Sequence, residues 1–346
     1  MRLRKSLVYT ILVILTLALV GCSDESTKTS SDGSKIVRVG FFPNVTHTQA
    51  LVGKGNGTFQ KEIGKEYTID WKQFNAGPSE LEALLAGELD IGYIGPGPAV
   101  NGYTVSKGDL QIISGASNAG AVLIVGKDTD IKDIKDLEHK KIAIPQYGNT
   151  QDICLRGLLK DNGLKDSARG GTVDVVQAPN PDIKMLLEEG NIDAAFVPEP
   201  WGSRLESEIG AKILLDYDET WREGEYSSAV IIARKEFVEN HPDLIEKFLK
   251  AHIETTEYIN KNNDQAKKVI NEQLQELIQK PLPKDVLDRA FDRLVITYDP
   301  QRESVKEIVD LSYEVGYLRR KPDLTNLFNL DLLNKVLDSK GLKEIK

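Results

Sequence analysis

From residue 35 onward the chain alternates short apolar runs with stretches whose apolar side chains recur at helical spacing, the rhythm of an α/β protein. Residues 36–41, IVRVGF, read as a first strand and 67–74 as a second. Further strands are expected at 90–94, 111–114, 121–125, 141–144, 173–177, 193–197 and 228–233. Helical patterns separate them, at 47–54, 99–107, 131–137, 153–162 and 182–189. Beyond residue 236 the pattern is helical throughout, with runs at 242–260, 264–279, 284–293, 302–316 and 330–339. The most informative stretch is 74–99, FNAGPSELEALLAGELDIGYIGPGPA. Ser79 and Glu82 stand at capping-box spacing, so a helix is expected to open at Ser79. Leu81, Leu84 and Leu85 would share its buried face, and Gly87 would end it.

Twice within that stretch a glycine–proline turn delivers a helix N-terminus, at Gly77-Pro78-Ser79 and at Gly95-Pro96-Gly97-Pro98. A third such turn is Pro145-Gln146-Tyr147-Gly148-Asn149-Thr150-Gln151-Asp152, where Asn149 or Thr150 would cap and Asp152 would complement the dipole. Helix N-termini carry unpaired N–H groups and favour negative charge, so three together form a candidate anion cradle. The prolines donate nothing and pre-set φ for the first turn.

Composition narrows the partners. The 346 residues are 40% hydrophobic and 28% charged with a formal net charge of −9, which argues against a nucleic-acid partner because no basic patch is expected. The chain carries two cysteines, Cys22 and Cys154, and four dispersed histidines, so no metal cluster can be drawn and no cofactor is expected. Arg2, Arg4 and Lys5 precede an apolar run from Leu7 to Val20 that is short for a membrane span, and Gly21-Cys22 follows. The ending Leu19-Val20-Gly21-Cys22 resembles a bacterial lipobox, which implies a signal peptide over 1–21 and a lipid on Cys22. Residues 22–35 are polar and read as a tether. With Cys22 lipidated, Cys154 has no disulfide partner. The location expected is extracytoplasmic, held to the bacterial cell membrane by a lipid anchor.

Four motifs carry a family resemblance across the mature chain: RVGFFPNVTHTQALVG at 38–53, the 74–99 stretch, KKIAIPQYGNTQD at 140–152 and NIDAAFVPEPW at 191–201. In this order they resemble the extracytoplasmic solute-binding lipoproteins of ABC importers, in the nitrate/sulfonate/taurine (aliphatic sulfonate) family. The resemblance implies a type II periplasmic-binding-protein-like fold, two α/β lobes with a ligand cleft between them and a helical C-terminal region. Residues 36–120 and 227–346 would form lobe 1 and 121–226 lobe 2. It implies capture of a small anionic or zwitterionic solute, an aliphatic sulfonate or taurine, for delivery to permease and ATPase subunits. The binding protein would be a monomer without enzymatic activity. Alternatives within the fold are a nitrate/bicarbonate-type or a thiamine-pyrimidine-precursor binding protein.

Candidate ligand-binding residues follow the turns. Asn44, Thr46 and His47 come from the first, with His47 either a ligand contact or a surface helix cap. Gly77 and Ser79, then Gly95 and Gly97, then Gln146, Asn149, Thr150 and Gln151 come from the three cradle turns. Glu199 is a misfit in an anion site, since a buried carboxylate needs a partner. It either meets a positive group on the ligand, such as the ammonium of taurine, or points to solvent or pairs with Arg204. Trp201 is either a wall for the ligand's carbon chain or inter-helix core. An amino-sulfonate is therefore expected to bind better than its uncharged analogue.

Overall fold

In the computed structural model, which describes residues 33–346, the strands fall into two mixed sheets. The strands are β1 (Lys35–Phe41), β2 (Tyr67–Gln73), β3 (Ile91–Ile94), β4 (Leu110–Ala119), β5 (Ala121–Val125), β6 (Lys141–Ile144), β7 (Asp174–Gln177), β8 (Ala194–Pro198), β9 (Lys212–Leu215), β10 (Ser227–Arg234) and β11 (Leu294–Ile296). One sheet runs β11-β4-β10-β3-β1-β2, the other β7-β6-β8-β5-β9. In the first, β1 pairs in parallel with β2 and β3, while β10 lies antiparallel between β3 and β4. In the second, β6 is parallel to β7 and β8, and β5 is antiparallel to β8 and β9. The chain crosses between sheets twice. It leaves β4 for β5 through Gly120, whose φ of +76° suits glycine, and returns from β9 to β10. The fold is thus the two-lobed α/β architecture expected.

The inner strands β3, β5 and β8 are buried along their whole length, because helices cover both faces of their sheets. Val37, Val39 and Phe41 of β1 pack with Phe59 and Phe248 on one face of the first sheet. Leu81, Leu84 and Leu110 belong to a second core on the other face. The long C-terminal helix Pro242–Lys261 buries Ile245, Phe248, Leu249 and Ile253, the i, i+3, i+4, i+8 stripe of an amphipathic helix.

Several expectations are corrected here. The helix of the 74–99 stretch spans Gly77–Leu85, two residues earlier than expected, with Ala76 as its N-cap and no capping box. Its proline in the first turn makes the early start possible, and Ser79 Oγ donates to the Ala76 carbonyl (3.0 Å) instead of capping an N–H. Leu85 is exposed, at 40%, whereas Leu81 and Leu84 are buried. Gly87 does end the turn, at φ +74°, with its N–H on the Leu84 carbonyl. The helix expected to begin at 99 begins at Pro96, and the one expected at 153 begins at Thr150. Strand β4 has ten residues in place of the expected four, and β9 and β11 are additions to the expected set. Lys35, assigned to the tether, already pairs in β1. The signal-peptide segment 1–21 and the lipidation site Cys22 lie outside the described residues.

Candidate functional site

The parallel strands of both sheets point their carboxyl ends at one another, the position at which α/β sheets hold ligands. Each such end turns into a helix. β1 leads to Asn44 and the turn over Val45–His47, β2 to Gly77–Leu85, and β3 to the helix Pro96–Val105. From the other lobe, β6 leads to Thr150–Asp161 and β7 to Asn180–Glu188. These N-terminal ends surround a small cavity of about 420 Å³ counted out to its open mouth. Its walls contain no aspartate, glutamate, lysine or arginine.

What the walls offer is donors. The N–H groups of Gly77, Thr150 and Gln151, all in first helical turns, donate to no acceptor among the described residues. Asn44 is fixed in orientation by Trp201, whose Nε1, which can only donate, bonds Asn44 Oδ1 at 2.7 Å. The Asn44 Nδ2 donors therefore remain for the cavity that Asn44 lines. His47 accepts the Phe42 N–H at Nδ1 (2.9 Å) and stacks on the Phe42 ring at 4.3 Å. That bond leaves the ring proton on Nε2. Burial pulls the His47 pKa down to about 3, so the ring is a neutral donor at physiological pH. Asn180, 5% exposed, has an Oδ1 with no partner. The cavity thus pairs an excess of donors with a complete lack of acidic groups, which suits an anion.

Of the residues expected from sequence, Asn44, Thr46, His47, Gly77, Gly95, Asn149, Thr150 and Gln151 line this cavity. His47 is not a surface cap, since it is 1% exposed. Asn149 is the cap of its helix, accepting the Asp152 N–H at 2.8 Å. Ser79, Gly97 and Gln146 lie outside the wall and hold the two lobes together. Ser79 Oγ sits 3.5 Å from Gln146 Oε1, and the Gly97 N–H donates to Thr150 Oγ1 at 3.1 Å. A Cβ on Gly97 would come within 3.1 Å of the Thr150 backbone, and one on Gly95 within 2.4 Å of its hydroxyl. Those glycines permit close approach of the lobes.

Glu199 and Trp201 also lie outside the wall. Glu199 is fully buried and accepts from the Ser203 N–H (3.0 Å), Ser203 Oγ (3.0 Å) and Arg293 Nη1 (2.8 Å). Arg293 also meets Glu206 and Asp216, each at 2.8 Å. Burial pushes the Glu199 carboxyl above its ordinary range while the Arg293 charge opposes that shift. Its partner is neither a ligand ammonium nor Arg204, which pairs with Glu208. Trp201 is core, 6% exposed, and acts by holding Asn44.

Phe42, Asn75, Ala76, Pro98, Pro145, Asn180, Pro198 and Ser228 complete the wall beyond the residues expected from sequence. Asn180-Pro181 carries the same proline-at-helix-start signature as the other turns and is legible on that ground. Ser228 is the second residue of β10, and only the antiparallel pairing of β10 with β3 brings it to the carboxyl end of the sheet.

The NMT1-like family model matches residues 31–272. This chain belongs to the NMT1-like family. A Bacillus subtilis protein named for binding aliphatic sulfonates is 25% identical over 340 residues, covering 97% of this chain and 98% of that one. The Escherichia coli taurine-binding periplasmic protein is 32% identical over 206 residues, 59% of this chain and 61% of its own. Among solved structures, the periplasmic nitrate-binding protein NrtA of Synechocystis superposes with a TM-score of 0.75 at 15% identity, over 88% of this chain and 89% of that one. At that identity the likeness is one of fold. Among the described residues no helix is long and apolar enough to cross a membrane, and no group of His, Cys, Asp and Glu is placed to hold a metal.

Proposed function

We propose that this NMT1-like protein is the solute-binding component of an ABC importer, capturing a small organic anion of the sulfonate class. The observation that carries the reading is the donor-lined cavity, free of acidic groups, where helix N-termini of both lobes meet. Hydrogen bonds to a charged group contribute roughly 1.5–3 kcal/mol each. A few of them, less ordering costs, reach the ~8 kcal/mol of micromolar binding without a cation in the wall. The relatives named for sulfonates and taurine choose the anion class. The role is binding and delivery, with no catalysis.

On this reading 36–120 and 227–346 move as one body and 121–226 as the other. The contacts Asn44–Trp201, Gly97–Thr150 and Arg293–Glu199 join them around the ligand. The protein works outside the cytoplasm, tethered by lipid on Cys22, and presents its loaded form to a permease. Calorimetric titration with methanesulfonate, propane-1-sulfonate, taurine, nitrate, bicarbonate and a hydroxymethylpyrimidine tests the ligand class. Binding confined to nitrate, bicarbonate or the pyrimidine would overturn it. Cys22→Ser is expected to move the protein from the membrane to the soluble fraction without unfolding it, and retention after a salt wash would refute the anchor.

A further inference from the structure

The helix Thr150–Asp161 has the cavity at its N-terminal end and a separate groove at its C-terminal end. The groove holds about 490 Å³, within the roughly 300–1,000 Å³ usual for small-molecule sites, and shares no residue with the cavity. One wall is drawn from residues 156–169 and the other from residues 314–316, where the helix Arg302–Glu314 ends. Its charges are unevenly matched. Arg156, 7% exposed, is held by Asp152 and Asp166. Lys160 meets Glu314 across the groove at 2.6 Å. Lys165 and Arg169, both exposed, form no ion pair among the described residues. Two unmatched cations therefore share one groove on a chain whose formal net charge is −9. The loop that carries them is braced. Asp166 accepts the Ala168 N–H at 3.1 Å while it bonds Arg156, and the Lys165 carbonyl accepts the Thr172 N–H at 3.0 Å. The Arg169 guanidinium lies 5.2 Å from the centre of the Tyr317 ring, where a Cβ on Gly316 would come within 3.1 Å of its Nη1.

We propose that this groove is a second anion site, one that takes the phosphate group of an organic phosphate monoester. It stands apart from the cavity and from the solute assigned there. Charge sets the class. A phosphate monoester carries about −1.5 to −2 at pH 7 and matches both unpaired cations, whereas a monoanion such as a sulfonate leaves one of them unmatched. Arg169 offers a planar fork of N–H donors suited to phosphate oxygens, and Lys165 a compact point charge. Both stand on a braced loop, so little of the site has to be ordered when a ligand arrives. Leu164 and Val315 supply apolar surface for the organic part. Glu314 opposes the ligand, because its charge faces the same groove and its bond to Lys160 withholds a third cation. A soluble phosphate ester and a phosphatidate head group share this chemistry.

The test is calorimetric titration of full-length protein carrying Cys22→Ser with glycerol 1-phosphate, in Tris buffer so that no sulfonate or phosphate competes. One-to-one binding is expected, weakening as sodium chloride is added because both cations are exposed. Lys165→Gln combined with Arg169→Gln should lower the affinity at least about tenfold, the loss expected for charge-assisted hydrogen bonds. The same double variant should leave methanesulfonate affinity at the cavity within about twofold. Glu314→Gln should move the phosphate affinity the other way, tightening it at least about twofold. Asn44→Asp, which puts a carboxylate in the cavity, should leave glycerol 1-phosphate within about twofold. Flotation with phosphatidylcholine vesicles, with and without phosphatidate, separates the sources: capture by phosphatidate that the double variant loses assigns a lipid head group, and binding of the soluble ester alone assigns a free one. Absence of binding in both arms overturns the site. So does phosphate affinity that Asn44→Asp abolishes and the double variant keeps, since the phosphate would then lie in the cavity. Failure of sulfonates to bind overturns the cavity's assignment and leaves the groove standing.

Discussion

The pair Glu199–Arg293 gives the sharpest test of whether a buried carboxylate reads the ligand or closes the lobes. Glu199 is fully buried with three donors on its two oxygens, and Arg293 reaches it from the segment after the helix Lys284–Asp292. Arg293→Met would leave that carboxylate without its counter-charge. Breaking a buried pair from one side costs about 3–5 kcal/mol when the remaining charge persists. Glu199 has a cheaper exit, which is to take up a proton. From an ordinary value of 4.5, holding it neutral at pH 7 costs about 1.4 kcal/mol per pH unit, or ~3.4 kcal/mol. The loss should therefore be capped near that figure at pH 7. Burial already raises this carboxyl's pKa and removing Arg293 raises it further. A raised carboxyl lowers stability as pH climbs above its unfolded value, so the deficit should be several kcal/mol at pH 8 and shrink toward pH 5. Urea denaturation of both proteins at pH 5, 7 and 8 measures this. A deficit independent of pH would refute it. Glu199→Gln keeps the shape and leaves Arg293 its bonds to Glu206 and Asp216. Calorimetry should then find taurine and propane-1-sulfonate weakened by the same factor, and a loss confined to taurine would mean that Glu199 reads the ammonium after all.

Three further outcomes follow from the wall and its surroundings. Asn44→Asp preserves the acceptor for Trp201 Nε1 but replaces the cavity-facing donors with a carboxylate oxygen. Affinity for a sulfonate should fall by more than about 100-fold, the equivalent of ~2.7 kcal/mol, with stability much less affected; retained affinity in calorimetry would disprove an anion here. His47 is the one titratable side chain in the wall and stays neutral far below pH 5, so sulfonate affinity should be flat from pH 5 to 8, and a change beyond about threefold would contradict the assignment. Glu80 is fully buried between Gly40 and Gly92 with both carboxyl oxygens unpartnered, and burial holds its pKa well above the ordinary value. Above that ordinary value the unfolded chain sheds its proton first. Glu80→Gln should therefore shift relative stability in its own favour by roughly 1.4 kcal/mol per pH unit between pH 5 and 7, and parallel urea curves at both pH values would rule this out.

The fold is legible in the sequence because its signals are local. A parallel strand buried on both faces writes an apolar run such as Ile91–Ile94, and an amphipathic helix such as Pro242–Lys261 writes a stripe. The errors cluster where a local rule has competitors. Ser79 three residues before Glu82 satisfies a capping box on paper. Pro78 instead lets the helix start at Gly77, and Ser79 then lies inside it and serves the lobe contact with Gln146. The strand β11 escapes a reading by pattern because three residues, Leu294–Ile296, hold no periodicity, and its place is fixed only by pairing with β4.

The site divides along the same line. Donors from helix N-termini are encoded where they stand, so the turns at Gly77, Gly95 and Asn149 stand out as a set in the amino-acid sequence alone. Whether a side chain points into the cleft is decided by partners far away in sequence. Glu199 meets Arg293 across 94 residues, and Trp201 meets Asn44 across 157. No window of sequence contains either pair, so a carboxylate and an indole next to a strand end read as ligand contacts when they are fastenings. The same separation explains why charge is a poor guide to the substrate. A lone acidic residue near a cleft suggests a cation only while its partner is unknown. Once Arg293 is found, what remains in the wall is neutral, and the groups left to meet a ligand are the donors of the helix N-termini and of Asn44 and His47.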